Sequence, residues 1–253
     1  MTLYDWIFSN YPPDSAINGR WGTLHICVVA CCVLLILVIA SFRKRDEKTR
    51  KTVLLVLAGV ILVLEIARRV INLCRGVSDF DHLVYILVPR PWCAISCWMT
   101  IAAAFSKKKV LYQFSAVISL LCALVFFAWP SVGFNDRVIL FENFYSITTH
   151  SLLLVSSVSM LTLGAADFAW DRKMMGQTLM LTAGIYVYAA AEILLGIEKD
   201  PLYFMPGNDV QAFLGVEYPL FLVIYIGFLI LWFCGFFGIP NWIRKKKKAA
   251  SSC

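Results

Sequence analysis

Long apolar segments recur along the whole chain of 253 residues and restrict the folds that it can adopt. Each is close to the ~20 residues that a helix needs to cross the hydrocarbon core of a bilayer. The segments lie at about 23–42, 52–73, 83–106, 110–130, 143–166, 174–196 and 217–238. Because only short polar stretches separate them, the pattern predicts an all-α membrane protein with a bundle of seven transmembrane helices.

The composition agrees, since only 15% of the residues are charged, against about 25% in soluble domains. The residues before the first apolar segment lack the positively charged region of a signal peptide, so this segment is predicted to remain as a span. We therefore expect an extracytoplasmic N-terminal segment (1–22), a transmembrane domain (23–238) and a basic cytoplasmic tail (239–253).

Most of the 23 lysines and arginines follow the first, third, fifth and seventh segments. They cluster at 43–51, 107–109, 172–173 and 244–248. Because basic loops stay in the cytoplasm, the N-terminus is predicted outside and the C-terminus inside, in a cell membrane (plasma or inner). This loop clustering argues against a nucleic-acid partner. The tail, with Arg244 through Lys248, is predicted to contact anionic inner-leaflet lipids.

The ionisable residues within these segments lie in their outer halves. A charge at the bilayer centre costs about 2.5 to 3.5 kcal/mol, so such residues commonly mark a functional site. Those next to or within the segments are His25, Glu65, Arg68, Arg69, Arg90, Glu142, His150, Glu192 and Glu217. We predict that they line a shared polar pocket facing outward. Their one-sided distribution argues against a conducting path across the membrane.

In the motif "LEIARR", Glu65 precedes Arg68 and Arg69 by three and four residues, so these side chains share one helix face. One interpretation is a self-neutralised ion pair. The other is that Arg68, Arg69 or Arg90 binds a phosphate or carboxylate, for which the guanidinium fork is well shaped.

The motif "VPRPWC" contains two prolines that cannot both lie inside a regular helix. The third helix is predicted to begin at Pro91, with 83–88 extended or re-entrant. Cys93 would then lie in the first helical turn beside Arg90, a setting typical of reactive cysteines. The alternative is a packing cysteine.

His150 lies about two turns into the fifth segment, where it is a candidate general base or, alternatively, a helix-to-helix hydrogen-bond partner. Cys93 and His150 at similar depth suit a nucleophile and its base, with a carboxylate such as Glu65 or Glu142 orienting the ring. Three histidines without ligand spacing predict no metal site, and no cofactor is expected.

Five motifs together resemble the YwaF-type integral membrane family, whose animal relatives include transmembrane protein 164. They are "WGTLH" (21–25), "LEIARR" (64–69), "VPRPWC" (88–93), "FYSITTHSLLL" (144–154) and "DPLYFMPGN…GVEYPLFLVIY" (200–225). The resemblance implies a seven-span protein. Through the animal relative, it also implies transfer of a polyunsaturated acyl chain to an ether lysophospholipid by a cysteine and a histidine.

The resemblance implies site roles for His25, Glu65, Cys93 and His150. The third-segment motif departs from the family pattern, because Pro91 stands where a histidine is usual. We expect a pocket for a membrane lipid or amphiphilic substrate and, if catalytic, acyl transfer or ester hydrolysis. A lipid- or solute-binding sensor, a transporter subunit or a purely structural scaffold remain alternatives.

Overall fold

The structure, a computed structural model, describes residues 3–8, 21–89, 91–128, 134, 139–168, 172–197, 199–200 and 202–250. All regular secondary structure in these residues is helical. The internal contacts divide the chain into two compact units, Met1–Ala166 and Asp167–Cys253.

The first unit is built around three closely packed helices. Its helices are α1 (Leu3–Phe8), α2 (Thr23–Ser41), α3 (Glu47–Cys74), α4 (Phe80–Leu87), α5 (Pro91–Ser106), α6 (Lys109–Ala128) and α7 (Phe141–Thr162). Helices α5, α6 and α7 contact one another, and α2 and α3 pack against this core. Helix α6 buries side chains on all sides, as expected for a helix at the centre of a bundle.

The second unit contains α8 (Arg172–Leu194), α9 (Asp209–Leu214) and α10 (Tyr218–Ala250). Few apolar side chains of α8 and α10 are buried, as is typical of surfaces that contact lipid. Helix α10 continues beyond residue 239, where the basic tail was predicted to begin, because Pro240 lies within the helix and does not end it.

Five helices have the length and composition needed to cross a membrane, so the protein is a multi-pass membrane protein. They are Thr23–Lys44, Lys109–Ala128, Phe141–Thr162, Lys173–Leu194 and Tyr218–Pro240. Each coincides with a predicted segment. Helix α3 covers the second predicted segment but carries Glu65, Arg68 and Arg69, and α5 is a shorter apolar helix. The count of seven spans therefore stays a prediction.

The third predicted segment is divided between α4 and α5. Helix α5 begins at Pro91, as predicted, so Cys93 lies in its first turn. Of the two alternatives expected for 83–88, extended or re-entrant, the extended one is wrong, because residues 83–87 belong to α4. Asp79 caps this helix by accepting a 2.7 Å hydrogen bond from the His82 N–H. Only Val88 is extended, as residues before proline commonly are.

Candidate functional site

Glu65 is buried at the contact of α3 with α7. It continues the buried face formed by Leu54, Ala58 and Ile61, whose spacing of three and four residues turns all these side chains toward the core. One carboxylate oxygen accepts a hydrogen bond from the Tyr145 hydroxyl, and the other accepts one from the Arg69 guanidinium. The buried charge is therefore both paired and hydrogen-bonded, as a low-dielectric site requires.

Arg69 binds to Glu65 through its guanidinium and does not extend to the protein surface. Its guanidinium also donates to the Glu65 carbonyl at 3.0 Å and lies over the Trp98 ring, 5.1 Å from its centre. The side chain is only 14% exposed. This arrangement corresponds to the self-neutralised interpretation of "LEIARR", with Arg69 as the partner.

Arg68 takes a different partner, although it neighbours Arg69 in sequence. Its Nε lies 3.4 Å from a Glu142 carboxylate oxygen, and its guanidinium lies 4.9 Å from the centre of the Tyr145 ring. Glu142 also accepts a 2.9 Å hydrogen bond from Arg75, the residue that follows α3. Glu142 lies in the first turn of α7, where a carboxylate also stabilises the helix by interacting with the positive end of its dipole.

These five residues, Glu65, Arg68, Arg69, Arg75 and Glu142, form what we call the arginine–glutamate cluster. Its three guanidinium groups face two carboxylates, so the cluster carries one positive charge in excess. Arg68 is 31% exposed and its single ion pair is long, which leaves it the freest of the three arginines to contact a ligand. The cluster thus has the charge needed to bind an anionic group.

Cys93 lies beside the cluster, where its thiol neighbours the His150 ring and the Cys122 thiol. Arg68 is close enough to Cys93 for their charges to interact. The structure therefore brings the predicted nucleophile and its predicted base together. Cys93 remains partly exposed, whereas Cys97, one turn further along α5, is buried.

His150 is held in a single orientation by two contacts. Its Nδ1 lies 2.7 Å from the Ser146 carbonyl oxygen, and its ring stacks on Phe126 with centres 3.8 Å apart. Because a carbonyl oxygen only accepts hydrogen bonds, Nδ1 carries the proton and Nε2 is the basic nitrogen of the neutral ring. Ser146, on the same helix, thus has the orienting role that we expected of Glu65 or Glu142.

His25 does not join this group. It is fully buried, its Nδ1 accepts a hydrogen bond from the Trp21 backbone at 3.3 Å, and its ring contacts those of Phe127 and Phe134. Phe126 contacts Phe134 on one side and His150 on the other, so phenylalanine rings stand between the two histidines.

The remaining predicted residues are outside this site. Glu192 is buried in α8 and Glu217 is exposed just before α10, both within the second unit. Arg90 lies outside the described residues. The structure therefore brings together Glu65, Arg68, Arg69, Cys93, Glu142 and His150. Among the residues that it describes, no group of three His, Cys, Asp or Glu side chains is suited to a metal ion.

The sequence reasoning missed Tyr145, Ser146 and Arg75. Tyr145 and Ser146 follow Glu142 by three and four residues, and His150 follows Ser146 by four. This spacing places them on one face of α7 and was visible in the sequence. No comparable signal marked Arg75, because its contacts with Glu142 and with the Ile7 carbonyl join residues far apart in the chain.

Comparison with known proteins identifies a family for this chain. The family model described as the TMEM164 family matches residues 19–238, most of the chain and all residues of the site. Neither the curated proteins nor the solved structures include a match. The match supports the resemblance to transmembrane protein 164, whereas the YwaF-type label stays a prediction. From its helices and from this match, the chain belongs to the TMEM164 family and is an integral membrane protein.

Proposed function

We propose that this protein acts on the ester bond of a membrane lipid or a related amphiphile, with Cys93 as nucleophile and His150 as general base. The observation that carries the proposal is the position of the Cys93 thiol beside a ring whose Nδ1 lies 2.7 Å from the Ser146 carbonyl oxygen. A base oriented next to a thiol is the arrangement that nucleophilic catalysis by cysteine requires.

In the proposed reaction, the Cys93 proton passes to Nε2 of His150 and the sulfur attacks the ester carbonyl carbon. The carbon–oxygen bond of the ester breaks, and the departing lysolipid oxygen takes the proton from His150. The acyl chain is then a thioester on Cys93. A second lysolipid hydroxyl, or water, attacks the thioester while His150 removes its proton, which restores the thiol and completes transfer or hydrolysis.

Arg68 is the group best placed to hold the phosphate of the lipid headgroup. It lies near Cys93, is partly exposed and belongs to a cluster with one positive charge in excess. A guanidinium binds phosphate through two parallel hydrogen bonds, which would fix the ester close to the thiol. Glu65 and Tyr145 are then positioning residues, since they hold Arg69 and support the face on which Arg68 lies.

We further infer that α4 and α5 together form the third of seven crossings, with the arginine–glutamate cluster facing the outside of a cell membrane. The distribution of basic loops supports this orientation. It also supports contact between the basic tail and anionic lipids of the inner leaflet.

The test is an acyl-transfer assay on the purified full chain, with a phospholipid labelled in its acyl chain and a lysophospholipid acceptor. Cys93→Ser and His150→Gln are each expected to reduce turnover at least 100-fold, since general-base catalysis alone contributes about 10² to 10⁴. Cys74→Ser, which changes an exposed cysteine at the end of α3, is the matched control and keeps full turnover. Equal turnover in all three variants would exclude this mechanism.

The non-catalytic alternative, binding of a lipid or solute by a sensor or transporter subunit, is favoured by one observation. Cys93 packs against an apolar cluster that includes Ile61, Cys97 and Cys122, as a structural cysteine would. A binding protein is expected to retain lipid affinity in Cys93→Ser, to lose affinity in Arg68→Lys because an ammonium cannot form the two parallel hydrogen bonds of a guanidinium, and to show no turnover in the wild type. The enzyme is expected to lose turnover in Cys93→Ser while it still binds lipid.

A further inference from the structure

A groove of about 490 Å³ lies between α3 and α5, at the end of α3 remote from the arginine–glutamate cluster. It is lined by Glu47, Lys48, Lys51, Thr52, Leu55, Ala104 and Lys107, and we call it the lysine groove. Lys48, Lys51, Thr52 and Leu55 lie on one face of α3, because they are spaced by three, four and seven residues. Ala104 and Lys107 form the opposite wall at the end of α5.

The groove is polar at one end and apolar at the other. Three ammonium groups and one carboxylate line its polar end, so it carries two positive charges in excess. Lys51 pairs with Glu47 at 2.5 Å, and this contact holds the pKa of the Glu47 carboxyl below its ordinary value. Within the described part of the chain, the ammonium groups of Lys48 and Lys107 form no ion pair, so both are available to an anion.

Lys107 lies where the backbone favours glycine. Its φ is 58°, in the left-handed region, and its N–H donates to the Ala103 carbonyl at 3.0 Å to close the last turn of α5. Glycine is the usual residue at this position of a helix end, and a residue with a side chain there is strained. Keeping lysine at such a position is consistent with a use for its ammonium group.

We propose that the lysine groove binds the phosphate headgroup of an anionic phospholipid. A lipid is favoured over a free phosphate because the groove continues onto apolar side chains. Leu55, which lines it, is 38% exposed, as suits contact with an acyl chain. The site is separate from the catalytic one, and its ligand would be a bound structural or regulatory lipid rather than the substrate.

The test measures binding of dioleoyl phosphatidylglycerol to the purified full chain by native mass spectrometry, with dioleoyl phosphatidylcholine as the zwitterionic comparison. The triple variant Lys48→Gln, Lys51→Gln and Lys107→Gln is expected to lose about 100-fold in phosphatidylglycerol affinity, at about fivefold per lysine. Its phosphatidylcholine affinity is expected to stay unchanged, because a zwitterion gains little from added positive charge.

The matched control is Arg43→Gln, Lys44→Gln and Arg45→Gln. It removes the same charge from exposed residues that precede α3 and do not line the groove. Its phosphatidylglycerol affinity is expected to stay within about twofold of the wild type. The reason is that salt screens the attraction between a headgroup bound in the groove and exposed charges outside it. An equal loss in this control would show that only net charge matters and would overturn the proposal.

Two single variants separate binding from folding. Lys107→Gly relieves the strained backbone, so it is expected to keep or raise the melting temperature while phosphatidylglycerol affinity falls about fivefold. Glu47→Gln releases Lys51 and removes the negative charge, so affinity is expected to rise by about threefold. Unchanged affinity in both variants would overturn the proposal, as would displacement of the lipid by an equal concentration of glycerol phosphate.

Discussion

Helix α3 carries two ion pairs with the same spacing and in different surroundings. Glu47 and Lys51 pair at one end of the helix, with side chains 69% and 44% exposed. Glu65 and Arg69 pair near the other end, with side chains 0% and 14% exposed. Both pairs place glutamate four residues before the basic residue, so the local sequence pattern alone does not distinguish them.

The difference lies in what surrounds each carboxylate. Glu65 accepts a second hydrogen bond, from Tyr145 on α7, whereas the Glu47 side chain pairs with Lys51 and is largely open to solvent. An exposed pair contributes little to stability because water already solvates both charges. A buried pair contributes little over an apolar substitute, yet removing one partner leaves an uncompensated charge in the core. Burial therefore determines how much stability is lost when one partner of each pair is removed.

The largest difference between the two ends is expected on removing the carboxylates. Glu65→Ala should lower the free energy of unfolding by about 3–5 kcal/mol, because Arg69 is left mostly buried without its partner. The matched variant Glu47→Ala should cause no measurable loss. Denaturation of both variants in mild detergent measures this directly. Equal losses would show that burial does not separate the two pairs.

An intermediate effect is expected for the hydroxyl that distinguishes the buried pair. Tyr145→Phe removes the donor to the Glu65 carboxylate and should cost about 1.5–3 kcal/mol, the range for hydrogen bonds to charged groups. Tyr186→Phe is the control in the second unit. Its hydroxyl bonds the neutral Tyr225 hydroxyl at 3.4 Å, so the loss should stay below about 1 kcal/mol. A comparable loss for both tyrosines in the same unfolding assay would contradict the role given to Glu65.

The smallest effect is expected at a charged residue of α3 that belongs to neither pair. Arg50 donates a 2.8 Å hydrogen bond to the Leu163 carbonyl just after α7, where a cation also stabilises the helix end. Because this bond is only partly buried and water can replace the lost donor, Arg50→Ala should cost about 1 kcal/mol, less than a fully buried hydrogen bond to a charged group. Arg43→Ala, which changes an exposed arginine before α3, should leave the melting temperature unchanged. Equal melting temperatures for the two variants would show that the contact with Leu163 contributes nothing to stability.

Local features of the chain predicted much of the fold. Apolar length identified five helices that can cross a membrane, because a span depends on the residues within it. Proline chemistry placed the start of α5 at Pro91. Helix α4 was missed, although Asp79 is a good N-cap, because its apolar residues were interpreted as part of the third span.

The candidate site was predictable only in part. The spacing in "LEIARR" allowed a pair between Glu65 and one of the two arginines as one of two interpretations, and the structure shows the partner to be Arg69. Depth in the membrane placed Cys93 and His150 at a similar level. The ion pairs of Glu142 and the hydrogen bond from the Tyr145 hydroxyl to Glu65 depend on how α3 packs against α7. No local sequence pattern predicts that packing. The sequence also grouped His25 with His150, whereas the aromatic rings between them depend on tertiary packing.

Detection of a covalent acyl group on Cys93 tests the central claim most directly. The purified protein is incubated with a phospholipid in the absence of acceptor, and peptides are then analysed by mass spectrometry. We predict an acyl mass on the peptide containing Cys93 that hydroxylamine removes and that is greatly reduced in His150→Gln. An unmodified Cys93 in a protein that transfers acyl chains, or the same modification in His150→Gln, would contradict the account.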